Sequence, residues 1–328
     1  MNRGYVPING QSRLVPAVLC ALVVIGLALI GAMEYLGVVS LTANAPLKQL
    51  FSYKLISYAN LLLIGSTILY VAHLWFTAPA VGLWATGTAA VGALGLVAGL
   101  VARATEHHTG QIPLIGLSEV MSLFIAMTVV IYLAMERAYR TRSAGAFVMP
   151  IVAIAVLFEA WLVSDYLVSP GNRLPLLRSY LIHIYVLANL LAYSAFAVAA
   201  AVGVMYLLRQ HVETHPLAPG FALRERLGLA PIARLLHLAI FLGFAVFSCA
   251  TLLGIALAHE AGEPFWAWDA KKTAALLVWI WYFGYFYLHY GKKWRGMRMA
   301  WWAILGFALT VYGFLGLNLF LPVLHAYG

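Results

Sequence analysis

Apolar runs long enough to cross a bilayer recur along the whole chain and constrain it more than any single motif. A crossing helix needs about 20 consecutive, mostly apolar residues. Stretches of that kind lie near 14–37, 55–77, 80–102, 114–135, 146–164, 179–208, 235–257, 272–290 and 300–322. Of the 328 residues, 64% are hydrophobic and only 9% are charged. A soluble domain carries about a quarter charged residues, so a water-soluble protein is excluded. Hydrocarbon offers backbone groups no water to bond, which leaves helices as the form such runs can take. The expected fold class is all-α: one integral membrane domain over 1–328, a polytopic transmembrane helical bundle of about nine spans. The count falls to eight if the short connection at 77–81 is not a turn. The Gly and Ala content of segments such as Gly87 to Gly99 suits close helix packing.

The net charge of +9 comes from 20 Lys and Arg against 11 Asp and Glu. These basic residues are scattered through short connections and form no stripe, so no nucleic-acid partner is expected. Their distribution reports orientation instead, because cytoplasmic loops carry the excess of Lys and Arg. With the N-terminus inside, 13 of the 20 fall in inner connections, predicting an N-in, C-out topology. The run behind Arg3 and Arg13 is longer than a signal-peptide core and further spans follow, so it reads as a span. Cys20 and Cys249 lie inside apolar runs without a CxxC pairing and read as buried small hydrophobes.

Chemistry concentrates in the stretch Gly262 to Tyr290, GEPFWAWDAKKTAALLVWIWYFGYFYLHY. Tryptophans at membrane interfaces serve as anchors, which accounts for Trp161, Trp294, Trp301 and Trp302. Trp266, Trp268 and Asp269 are packed with Phe265 into one external loop, spanning 258–272, where they also suit a flat shelf for a large planar ligand. His183, His259 and His325 map to the outer side. His289, about 17 residues into its helix, lies roughly 25 Å inward, and His73 and His237 also approach inner helix ends. Each histidine alone is more readily structural than functional. Together, imidazoles for an iron, aromatic faces for a porphyrin, and Lys271, Lys272 and Arg178 for propionates make a haem-binding set. His289 and His325 are too far apart to hold one iron, so two sites or a path between them are expected.

At these residues the chain resembles the CcsA/ResC family of cytochrome c biogenesis proteins, the membrane component of System II haem attachment, marked by a tryptophan-rich WWD loop. Gly254 to Asp269 aligns with the family pattern G-x-x-W-A-N-x-A-W-G-x-x-W-x-W-D-P-K-E without a gap, and Gly254, Ala258, Ala261, Trp266, Trp268, Asp269 and Lys271 are retained. GQIPLIGLSE, Gly110 to Glu119, is similar to the family's G-x-x-P-x-x-N-x-Y-E segment, and GLNLFLPVLHAYG, Gly316 to Gly328, to its C-terminal G-V-N-x-x-x-x-G-L-H-S-Y. The resemblance implies an integral protein of the bacterial cytoplasmic membrane, or the thylakoid equivalent, with the Trp-rich loop on the outer face. Its implied cargo is haem b, delivered outward and presented to the CxxCH cysteines of an apocytochrome c. The implied partner is a ResB-type membrane protein, and the implied activity is that of a component of a cytochrome c haem lyase. Two other readings stand beside it: a haem-binding or haem-export protein without attachment activity, and a transporter or scaffold whose Trp loop only anchors.

The resemblance also implies ligands. His325 matches the external C-terminal ligand and His289 the ligand within the membrane, with two additional residues between it and Asp269. The other external ligand position falls on Tyr185, with His183 two residues earlier, and on a regular helix those side chains point about 200° apart. His183, a tyrosinate at Tyr185, or loss of this ligand are the alternatives. His259 stands where the family has Asn and is a further candidate. Gly262 and Glu263 replace the motif's Trp-Gly, and Ala270 and Lys272 replace its Pro and Glu.

Overall fold

The computed structural model describes residues 51–76, 79–106, 117–166, 180–214, 228–260 and 270–316. Among these the chain is all-helical, with no strand. The helices are α1 (Phe51–Phe76), α2 (Pro79–Glu106), α3 (Leu117–Tyr139), α4 (Gly145–Tyr166), α5 (Tyr180–Thr214), α6 (Leu229–Glu260), α7 (Ala270–Phe286) and α8 (Met297–Val311). α7 runs into a π turn at Tyr287–Gly291 and α8 into another at Tyr312–Gly316. Six of the eight, α1, α2, α3, α5, α6 and α8, are long and apolar enough to cross a membrane, and α4 carries a shorter apolar stretch, Gly145–Trp161. The expected first span at 14–37 lies outside the described residues. The connection at 77–78 separates two distinct helices, α1 and α2, so the run from 55 to 102 is a hairpin.

The C-terminal ends of α1, α3, α5 and α7 and the N-terminal ends of α2, α4, α6 and α8 share one end of the bundle, called here the near end; the opposite helix ends form the far end. Packing follows the rules of a lipid solvent. Lipid is as apolar as leucine, so helices associate through close contact of small residues rather than through exclusion of water. α2 presents Gly92, Gly95 and Gly99 at helical spacing to α1. A Cβ on these would meet Leu63 Cδ2 at 2.8 Å, the Ala59 Cβ at 2.9 Å and Ile56 Cγ1 at 2.5 Å. Gly87, read with them from the sequence, has open space beside it. The opposite face of α2 is apolar and exposed, with Trp84 and Leu94 at 64% and 69%. Cys249, expected to be buried, stands exposed on α6. In an integral membrane protein such a surface faces lipid, where a thiol is an acceptable small hydrophobe.

The interior is the polar part. Glu136 near the end of α3 is 7% exposed. It accepts hydrogen bonds from Tyr70 of α1 and Tyr132 of α3, each at 2.6 Å, and from Thr86 of α2 at 2.6 Å, with Arg142 Nε at 3.4 Å. One carboxylate therefore ties α1, α2, α3 and the entry to α4 at the near end. His73 is buried beside the same group, and its imidazole and Arg142 line the space next to Gly82. The turn that carries Arg142 to its place has Arg140 at φ 51°, a left-handed residue that reverses the chain after α3.

Gly145 begins α4 against this hub, and a Cβ there would collide with the Tyr132 hydroxyl and the Tyr70 ring. Gly145→Ala is expected to overpack the site and cost about 1–3 kcal/mol. Thermal unfolding of the purified protein in detergent should show a lowered midpoint, whereas Gly87→Ala, with open space, should leave the midpoint unchanged or raised.

Candidate functional site

Four of the residues singled out from the sequence, Trp266, Trp268, Asp269 and His325, lie outside the described residues. Lys271 falls in the first turn of α7. His289, His183, Tyr185 and His259 have defined places, and His289 is found with a partner the motif alone does not name.

That partner is His237 on α6. Its ring stacks on His289 with centroids 4.5 Å apart and planes 26° from parallel. Around the pair, Tyr290 Oη lies 2.9 Å from His237 Nε2 and Tyr285 Oη 3.5 Å from His237 Nδ1. Phe286 meets His237 edge-on with centroids 5.8 Å apart. Tyr285 is buried, both histidines are half-buried, and Tyr290 stands exposed at the rim. His289 bonds to the Trp294 main chain, while its Nδ1 is buried and has no hydrogen-bond partner. A ring held by one nitrogen with the other left bare is the form in which histidine ligates a metal. The donor set therefore fits an iron ligand.

His289 sits within the π turn. A π turn takes an additional residue into a helix and is frequent at functional sites. It offers a physical place for part of the two-residue excess between Asp269 and His289. The chain then reverses through Lys293 at φ 55° and Gly296 at φ 71°. Gly296 also lies against the Tyr206 hydroxyl, 3.0 Å from where a Cβ would be.

α7 is fixed by three nearly consecutive aromatic residues, each reaching a different neighbour. Trp279 Nε1 donates to Ser248 Oγ of α6 at 3.0 Å. Trp281 and Trp302 each donate to the other's main-chain carbonyl at 3.0 Å, their rings stacked 4.4 Å apart, which clamps α7 to α8. Tyr282 stacks on Phe196 of α5 with centroids 3.7 Å apart. These contacts set the axial position and rotation of α7, and so of His289.

At the far end α5 is a regular helix from Tyr180. Tyr185 is the side chain that packs against α6: a Cβ on Gly254 would meet its ring at 2.8 Å. His183 leaves the helix in a different direction, is half-buried and is engaged in interactions of its own. His259 is exposed in the last turn of α6. Glu119, the last residue of the segment read at Gly110 to Glu119, pairs with Arg103 of α2 at 3.0 Å.

The fold and site define a helical integral membrane protein with an imidazole pair at the near end of two adjacent helices. The family model described as "Cytochrome C assembly protein" matches residues 114–325. The chain belongs to this cytochrome c assembly family. It is 22% identical over 315 residues to the cytochrome c biogenesis protein CcsA of Gloeobacter violaceus, covering 81% of this chain and 93% of that protein. To CcsA of Synechococcus sp. it is 26% identical over 240 residues, covering 67% and 77%. To CcsA of Guillardia theta it is 27% identical over 242 residues, covering 67% and 78%. The chain is a CcsA-type cytochrome c biogenesis protein with a role in cytochrome c maturation.

The tryptophan clamp yields a test of how α7 is placed. Trp281→Phe removes the indole hydrogen bond to the Trp302 carbonyl, which keeps its partner within the helix, at about 0.5–1.5 kcal/mol. Trp281→Phe and Trp302→Phe combined should cost less than the sum of the singles, because the two rings share one stacked contact. Thermal unfolding of the four proteins measures that coupling, and simple additivity would mean that the clamp is not formed.

Proposed function

We propose that this chain carries haem b across the membrane and presents it on the outer face for covalent attachment to the CxxCH cysteines of apocytochrome c. It acts with a ResB-type partner, as a component of a haem lyase in the bacterial cytoplasmic membrane or its thylakoid equivalent. The observation that carries the reading is the His237–His289 pair with the bare Nδ1 of His289. The excess of Lys and Arg on inner connections puts the near end, and this pair, on the cytoplasmic side. Haem entering from that side meets an imidazole and a cage of aromatic rings.

His237 has Tyr290 on its Nε2, and the two imidazoles stack rather than aim at one point. Tyr290, exposed at the rim, would have to release His237 Nε2 before that nitrogen could hold an iron beside His289. Tyr285, buried below, keeps the ring from tilting further into the bundle. The outer station is the loop 258–272 with Trp266, Trp268 and Asp269 against the ring face and Lys271 toward a propionate. His325 would hold the iron there, and His183, Tyr185 or His259 would supply a further ligand. The work at this station is orientation more than acid–base catalysis. Haem supplies vinyl groups, and each cysteine S–H adds across one vinyl C=C, sulfur to one carbon and hydrogen to the other, so no group leaves.

The chain purified from haem-replete cells should carry haem with a low-spin visible spectrum. His289→Ala should remove most of the inner haem, and added imidazole should restore it by filling the vacated position. His237→Ala should convert the spectrum of the remaining inner haem toward high spin. With a ResB-type partner and a CxxCH reporter in a host lacking its own system, covalent haem should appear on the reporter. Purified protein with no haem absorption would overturn the reading.

A further inference from the structure

The far half of α1–α4 contains a buried carboxyl group that the haem chemistry leaves unused. Glu159 of α4 is 3% exposed. Ser122 of α3 donates a hydrogen bond to its Oε1, and Asn60 Nδ2 of α1 donates to its Oε2 at 3.3 Å. Glu119, Glu136 and Glu213 each form a salt bridge with an arginine, whereas no ion pair to Glu159 is formed among the described residues. Arg103 of α2 and Glu119 of α3 are the charged groups acting on it, and they neutralise each other at 3.0 Å. α5, also packed on α4, carries His183, Tyr185 and Tyr193 in its far half.

An ionised Glu159 would therefore put an uncompensated charge inside the bundle. The effective penalty for taking an ion out of water is several kcal/mol, and two neutral hydrogen bonds do not offset it. Ionisable groups retained at such positions in membrane proteins mark proton or ion pathways. Asn60 supplies a second indication, because its Oδ1 is buried with no hydrogen-bond partner while its Nδ2 faces the carboxyl. Turning that amide over, an exchange of nearly identical shapes, presents an acceptor to Oε2, which is what a protonated carboxyl requires. One amide thus serves both charge states: Nδ2 toward the carboxylate, Oδ1 toward the acid. A hard metal cation fits less well. The site offers three side-chain groups, the backbone carbonyls around them are engaged within helices, and such cations take six or more oxygens.

We propose that Glu159, Asn60 and Ser122 form a proton-binding site, loaded from the far-end face past the Arg103–Glu119 pair. Those two side chains are 15% and 11% exposed, and Ser122 lies one helical turn beyond Glu119 on the same face of α3. The proton transfers as H⁺ alone, with no redox partner. Because its three groups come from α1, α3 and α4, occupancy alters the joint between these helices, on the side of the bundle away from the α6–α7 imidazole pair.

The experiment is infrared spectroscopy of the full chain in lipid nanodiscs, free of haem and titrated through neutral pH in potassium buffer. A protonated carboxyl in apolar surroundings gives a carbonyl band above the amide region. That band is expected in the starting protein, absent in Glu159→Gln, and shifted to higher frequency but retained in Ser122→Ala, where the carbonyl loses a donor. It should disappear reversibly at alkaline pH. No band in the starting protein, or a band that survives in Glu159→Gln, overturns the proposal. Loss of the band on adding sodium at constant pH also overturns it, in favour of a cation site. If Glu159→Gln does not fold, the Ser122→Ala shift decides: an unshifted band assigns the proton elsewhere.

Discussion

Hydrocarbon cannot hydrogen-bond, and the arrangement of this bundle follows from that. Every polar side chain in a span must find its partner inside the protein or reach the interface. Glu136 meets the requirement by drawing hydroxyls from three helices and a guanidinium from the turn before α4. Its carboxylate gives α1–α4 a fixed near end. The exposed surface of α2, rich in large apolar side chains, is left to lipid. The result is a bundle whose polar groups specify the packing and whose surface carries little information.

The second half is organised by aromatic contacts instead. Along α7, residues 279, 281 and 282 engage α6, α8 and α5 in turn, and none of these contacts involves a charge. A helix held by ring stacking and indole hydrogen bonds keeps its rotation while leaving its near end free to carry chemistry. The π turn at Tyr287–Gly291 then re-aims His289 toward α6. The two halves thus separate tasks: ionic locking in α1–α4 and placement of imidazoles in α6–α7.

Much of this was legible in the sequence where the signal is local. Hydropathy located all eight helices, although α5 and α6 extend six residues beyond the expected bounds at 208 and 235 and α8 gives way to a π turn at Tyr312. The Gly and Ala content of Gly87 to Gly99 announced close helix packing. What stayed illegible depends on which helices are neighbours. His237 and His289 are 52 positions apart, and the sequence gives only that both approach inner helix ends. Their stacking needs α6 against α7 with a specific rotation, which three aromatic contacts supply. Glu159 stands as a single acid in an apolar run and Glu136 at the end of one, next to Arg137; in the bundle Glu136 is compensated by Arg142 instead, and Glu159 forms no ion pair among the described residues. Hydropathy records that a charge is present and is silent about what faces it.

At the far end, α5 and α6 meet at one of the positions singled out from the sequence. At the position where the resemblance calls for an external histidine, Tyr185 lies with its ring against Gly254, the first residue of the stretch leading toward Trp266. A Cβ at 254 would meet that ring at 2.8 Å, so glycine and the aromatic side chain are matched to each other. The contact fixes the direction of Tyr185 toward α6. His183, two residues earlier on a regular helix, leaves α5 on a different side and does not inherit that direction by proximity in sequence. The geometry of α5 and α6 therefore decides between two neighbours in sequence: Tyr185 faces α6, and His183 does not.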